Sequence, residues 1–135
     1  MTQEQKELLL KDLCARLPYG IVVGTTDNDG TIPNFWMFYS YNHFTEDVRI
    51  ANCDVDADRL TDFCDVRPYL FPLSSMTEEQ EIEYDATFAA IVYEDGRKDS
   101  VMTYKTFDWL NKNHFDYRDL IPMELAIDAT GLNIY

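Results

Sequence analysis

No stretch of the sequence approaches the roughly 18 to 20 consecutive apolar residues that a membrane-crossing helix needs. The start, Met1-Thr2-Gln3-Glu4-Gln5-Lys6, has neither the basic opening nor the apolar centre of a signal peptide. These absences predict a cytoplasmic protein with no membrane association. Cysteine is scarce: Cys14, Cys53 and Cys64 are odd in number and include no C-x-x-C pair, which argues against a disulfide framework or zinc ribbon and for reduced, mostly buried thiols. The glycines Gly20, Gly24, Gly30, Gly96 and Gly131 are too dispersed for a phosphate-cradling loop, so no nucleotide cofactor is expected, and no other cofactor signature is present. The two histidines, His43 and His114, stand about 70 positions apart, and no Ser or Cys near either sits in a nucleophile elbow. His114, inside a helix next to Phe115, reads as a packed or capping residue rather than a general base, and His43, in a turn, fits either role.

Positive charge is also short. Eleven bases face 25 acids, giving a formal net charge of -14. Residues 1–20 are balanced, residues 21–75 carry nine acids against three bases, and residues 76–135 carry thirteen against five. Such a field repels phosphate backbones and anionic lipid, because binding either depends on Lys and Arg displacing counterions. Direct nucleic-acid and membrane binding are therefore disfavoured. A protein partner of basic character remains, steered by the field, while the charge also maintains solubility. Oligomeric state is open.

What the sequence does have is apolar bulk. At 135 residues it has the commonest size of one domain, and its 46% hydrophobic content with 8 Phe, 9 Tyr and 2 Trp supplies a core. The expected organisation is α+β in a single domain, 1–135: an N-terminal helix over 1–17, a β-rich part over 20–72 and a mixed α/β part over 73–135. Thr2 and Gln5 form a capping box, and Leu8, Leu9, Leu10, Leu13, Cys14 and Leu17 recur at helical spacing, predicting a helix over 3–16 that Pro18 and Gly20 end. Ile21-Val22-Val23 begins a strand, and Asp27-Asn28-Asp29-Gly30 is a turn signal implying a hairpin. The second arm, Phe35 to Tyr41, is apolar on both alternating faces up to Tyr39 and reads as covered on both sides. A third strand follows at Val48 to Ala51. Residues 54–65 are ambiguous between a short helix at 57–63 and a loop with an edge strand. Val66 to Pro72 reads as extended because each Pro fixes φ. Ser74, Ser75 or Thr77 caps a short helix whose first turn holds Glu78 and Glu79. Residues 87–93 and 100–103 form a second hairpin about the turn at 94–97, Thr106 caps a further helix, and apolar residues from Leu120 to Tyr135 anchor the C-terminal part.

Two stretches are candidates for function. Asp54-Val55-Asp56-Ala57-Asp58 places three carboxylates at i, i+2 and i+4, as at the start of a calcium loop. The rest of that loop is missing: Arg59 stands where Gly is required and Asp65 where the bidentate Glu belongs. A solvated polar loop is the simpler reading, with Asp54, Asp56 and Asp58 as the only metal candidates. The aromatic run Phe35 to Tyr41 lacks the basic groove of a single-strand binder, so core packing accounts for most of it, with Tyr39 and Tyr41 left as anchors for a protein partner.

Residues 6–20, the string Pro68-Tyr69-Leu70-Phe71-Pro72 with its continuation to Thr77, residues 107–118 and residues 125–135 resemble stretches of small uncharacterised proteins encoded in prophages and mobile elements of gut anaerobic bacteria. These relatives often carry Gly where Asp119 stands. The resemblance covers a third to two fifths of the chain and carries no catalytic residues. It implies a phage or mobile-element setting and, between the first helix and the Pro-Tyr-Leu segment, a small, strongly bent antiparallel sheet similar to SH3-like barrels, followed by a hairpin and short helices. The leading expectation is a non-enzymatic accessory protein that acts by binding a protein. Two alternatives are an acidic nucleic-acid mimic that inhibits a host DNA-binding or defence protein, and a small carboxylate-metal hydrolase using Asp54, Asp56 and Asp58.

Overall fold

The computed structural model describes residues 1–52 and 54–135. Helix α1 spans Gln3–Arg16. Its start is the expected capping box: the Gln5 amide donates to Thr2 Oγ1 at 3.1 Å, and the Thr2 amide to Gln5 Oε1 at 2.9 Å. The buried face differs from a plain leucine stripe. Leu9 and Leu13 are fully buried, but so are Asp12 and Arg16, while Cys14 and Leu17 are exposed.

Strands β1 (Val22–Thr25), β2 (Trp36–Asn42), β3 (Asp47–Asn52) and β4 (Asp58–Asp62) form an antiparallel meander, and β5 (Val66–Pro72) returns to pair antiparallel with β1. Residues 58–62, ambiguous in sequence, are thus the edge strand, and a 3-10 turn over Phe63–Asp65 leads into β5. The sheet is larger than the expected antiparallel one, and mixed. The two-residue strands β8 (Phe115–Asp116) and β9 (Ile127–Asp128) both pair parallel to β5 along its free edge, β9 at Tyr69 and Leu70, β8 at Phe71 and Pro72. An open edge of backbone N–H and C=O groups needs partners, and the C-terminal anchors supply them.

One face of this sheet packs on α1 and on Leu120, Leu125 and Ala126, burying Val23, Trp36, Phe38, Val48, Ile50, Val66 and Leu70. Each such aliphatic side chain contributes about 1.5–3 kcal/mol. On the opposite face Val22, Tyr69 and Ala129 form a smaller cluster with Met37, Phe71 and Ile127. Strand β1 is consequently buried throughout. At Gly24 a Cβ would lie 2.8 Å from Ile127 Cδ1 and 3.1 Å from Asn34 Nδ2, so a larger residue there requires the ends of those side chains to shift.

Residues 73–113 stand apart in character. A 3-10 turn over Leu73–Ser75 precedes α2 (Glu78–Ala86), capped by the Thr77 and Gln80 box. A two-stranded sheet follows, β6 (Ala89–Val92) with β7 (Lys98–Val101), then α3 (Tyr104–Lys112). Thr103, not Thr106, is the N-cap of α3; Thr106 is the N3 member of its box, and its hydroxyl accepts from the Thr103 amide at 3.0 Å. Ser/Thr at both positions left the two assignments equivalent in sequence. His114 is not helical. It lies beyond the C-cap Asn113 in left-handed backbone (φ 62), as do Asp119 (φ 58) and Glu124 (φ 60) in the segment that follows.

Candidate binding face and buried polar networks

Strand β2 was expected to be covered on both faces as far as Tyr39. The cover ends one residue earlier, at Phe38. Alternation already sets Tyr39 on the outer face with Met37, beyond the reach of the C-terminal cluster, and a β-bulge follows: Phe38 pairs with Ile50 and Ser40 with Arg49, leaving Tyr39 without a partner of its own. A bulge sets two residues of one strand against one of the other and re-aims their side chains. Tyr39 and Ser40 therefore both emerge on the outer face opposite Arg49, and Tyr39 is 56% exposed. Tyr41 is sent to the other side, half-buried, with its ring edge-on to Phe63 at 5.6 Å. The two candidate tyrosines thus have different environments, and Tyr39 is the free one.

Around Tyr39 the outer face of β2, β3 and β4 is open. The C-terminal cluster covers the sheet only as far as Met37. Leu60, paired with Arg49 across β3 and β4, is 62% exposed, and Phe44 in the β2–β3 turn is 95% exposed. Arg49 is exposed and makes no ion pair among the described residues. Two shallow grooves meet at it. One is lined by Tyr39, Ala51, Val55 and Asp58, the other by Tyr41, His43, Phe44 and Leu60. His43 is exposed there, its ring centroid 6.5 Å from Tyr41.

The aspartates do not converge. Asp54, Asp56 and Asp58 are all exposed, and Asp58 is already the first residue of β4. The Asp54 and Val55 amides donate to Asn52 Oδ1 at 2.9 and 3.2 Å, so the chain turns on Asn52 rather than around a cation. Among the described residues no three His, Cys, Asp or Glu side chains gather to hold a metal ion. Nor is there an activated thiol among the described residues. Cys14 and Cys64 are free; Cys14 is exposed as a residue, but partial desolvation of the sulfur holds both thiols above the usual value, with the Asp62 carboxylate adding to the rise at Cys64. Cys53 lies outside the described residues.

The polar groups that are buried serve the fold. Arg16 grips Asp12 with two bonds, Nε to Oδ2 at 2.8 Å and Nη2 to Oδ1 at 3.0 Å, and also donates to the Phe115 carbonyl at 2.7 Å. Arg118 Nη1 donates to the same Asp12 Oδ1 at 2.7 Å, its guanidinium 4.4 Å from the Tyr117 ring centroid. Asp116 accepts from the Leu120 and Ile121 amides at 2.9 and 2.8 Å. Every ligand of this network is spent on the protein itself. His114, 8% exposed, stacks on the Tyr135 ring at 3.6 Å and 12°. Burial, and secondarily the Arg16 charge, lower its pKa to about 4, so its imidazole is neutral near pH 7. The Tyr135 hydroxyl accepts from the Val22 amide at 3.1 Å and donates to the Tyr69 carbonyl at 2.8 Å, tying β1 to β5.

No signal in the sequence pointed to Asp12, Arg16, Arg118 or the bulge at Tyr39. The first three are joined across 106 positions of chain, and a bulge depends on the partner strand as much as on its own residues. Among the described residues, no helix is long and apolar enough to cross a membrane. In comparisons with family models, curated proteins and solved structures, nothing matches this chain.

Proposed function

We propose that this chain is a non-enzymatic accessory protein, in the phage or mobile-element setting its resemblance implies, that works by binding another protein through the outer face of β2, β3 and β4. The observation that carries this reading is the exposed face around Tyr39. It sets a large outward-facing aromatic beside an arginine that makes no ion pair among the described residues, and beside two exposed apolar residues, Leu60 and Phe44. Tyr and Arg are enriched among the residues that dominate interface energy, because each offers broad contact area and directional hydrogen bonding at modest entropic cost. Among the described residues neither side chain makes a hydrogen bond or ion pair that would tie it to a structural role.

The test is affinity capture from host lysate with the whole chain as bait, beside the double variant Tyr39→Ala/Arg49→Ala. A partner retained by the parent and weakened about 30-fold or more in the variant is the expected result, since a hot-spot residue is worth about 2 kcal/mol or more. A specific partner held equally by both proteins places the interface elsewhere. Repeated recovery of no specific partner overturns the reading itself.

A further inference from the structure

We infer that the free edge of β6 is a second docking site, which accepts an extended, lysine- or arginine-bearing segment of a partner as a third strand of the β6–β7 sheet. The inference goes beyond the Tyr39 face and does not rest on it, because the residues are on another sheet. Every residue from Ala89 to Ser100 is exposed, and α2 beside the hairpin buries none of its residues. A two-stranded ribbon with neither face nor outer edges covered is marginal by itself. Yet this one is held firmly at its base. The Thr103 and Thr106 hydroxyls donate to the Thr87 carbonyl at 2.8 and 3.2 Å, and the Thr87 hydroxyl to Thr106 Oγ1 at 2.9 Å. The Tyr84 ring packs on Phe88 at 5.0 Å and on Trp109 at 5.6 Å, fixing α2 and the hairpin to α3.

The register says which groups are on offer. The Tyr93 amide donates to the Arg97 carbonyl at 2.8 Å and the Gly96 amide to the Tyr93 carbonyl at 3.0 Å, closing a turn with Gly96 at φ 86. Tyr93 and Arg97 are therefore a hydrogen-bonded pair, and in an antiparallel ladder such pairs alternate with non-bonded ones. Ile91 opposite Asp99 bonds inward; Val92 opposite Lys98 and Ala90 opposite Ser100 do not. The N–H and C=O groups of Ala90 and Val92 consequently point away from β7, along the open edge. That is the pattern a strand-adding peptide reads.

Charge selects the occupant. Residues 73–96 contain seven acids, Glu78, Glu79, Glu81, Glu83 and Asp85 on α2 and Glu94 and Asp95 in the turn, and no base. They flank β6, itself uncharged, but at the turn Asp95 is paired with Arg97 at 2.6 Å and Lys98 stands opposite Val92, so the uncompensated acidity lies at the α2 end. A second copy of this chain pairing edge to edge would bring two such acidic sets together, and like charges disfavour it. A basic extended segment meets opposite charge at the α2 end of the strand, from five carboxylates with no base among them.

The experiment uses the whole isotope-labelled chain, titrated in NMR with a capped peptide alternating lysine and valine. The expected result is amide shifts centred on Ala90 and Val92, slowed exchange of those two amides, and binding that weakens as salt shortens the screening length from about 30 to about 3 Å. Tyr39 and Arg49 stay unmoved, which separates this site from the Tyr39 face. The variant Ala90→Pro/Val92→Pro removes both outward donors, where proline is tolerated on an edge, and is expected to lose affinity at least about 10-fold while the Tyr93 and Asp99 signals report an intact hairpin. Val92→Lys keeps the backbone donors and repels the same peptide, so it must also lose affinity even if the proline variant unfolds the hairpin. Unchanged binding by Val92→Lys, equal shifts with a glutamate–valine peptide, or β6 shifts that grow with protein concentration in the absence of peptide would each overturn the inference.

Discussion

The body of the sheet and the arm over residues 76–103 are built by opposite means. In the body, α1, β1 and β5 bury apolar side chains on one or both faces, and even the charges inside are fully bonded. In the arm, α2 buries nothing and β6 and β7 leave only Val101 less than exposed. Its order comes from local devices: two threonine capping boxes, a Gly96 turn, Tyr93 donating to Asp99 at 2.9 Å, and the threonine cluster at its base. Tertiary burial stabilises one region, while the other rests on capping and turn hydrogen bonds and on a threonine and aromatic cluster that ties its base to α3. A region of the second kind opens at lower free energy and remains available to a partner.

The sharpest way to break this contrast is Asp12→Ala. Removing the carboxylate strands Arg16 inside the protein, an uncompensated charge costing about 3–5 kcal/mol, read as a lower denaturant midpoint with unchanged slope. A cost below about 1 kcal/mol would mean that the network is not part of the core. Next comes acid. His114 has a folded pKa of about 4 against 6.5 unfolded, so the folded state binds fewer protons. Its contribution is complete above about pH 6.5 and is lost as pH falls from there through 4, on the order of 3 kcal/mol in all. A His114→Phe variant is expected to lack that slope in stability between those pH values.

Smaller effects belong to the arm. Thr103→Ala removes a cap and a bond to the Thr87 carbonyl, at a cost of about 1 kcal/mol. Its signature is faster amide exchange confined to residues 87–107, with β1 and β5 protected as before; uniform acceleration would show that arm and body open together. Smallest of all is Ile82→Gln, on α2, where the side chain is 71% exposed. A change within about 0.5 kcal/mol is expected by thermal unfolding, and a core-like cost of about 2 kcal/mol or more would show that α2 is covered.

Legibility in the sequence follows the same division. The Thr2 and Gln5 box, the end of α1 at Arg16, the extended Val66 to Pro72 and the hairpin turn at 94–97 are each written within a few residues, and each is where it was expected. What was misjudged is non-local. Cys14 and Leu17 fit the apolar spacing of α1, but Leu110, Phe115 and Arg118 decide which face is buried, and they select Asp12 and Arg16. Ser40 pairs with Arg49 after a slip that no alternation in β2 could announce. His114 followed a helical pattern with no glycine to mark its left-handed backbone. Of the candidate site, the sequence supplied Tyr39 and Tyr41 as residues and nothing of how the face around them is assembled.

The two short parallel strands on β5 set an order of events during synthesis. Pro72 leaves the ribosome long before Asp116 and Asp128, the residues that complete the pairing of its strand. At elongation rates of about 5–20 residues per second, the nascent sheet waits several seconds with one side unsealed. Truncation before residue 115 should therefore leave a product that sticks to other nascent chains rather than a smaller soluble version of the same protein.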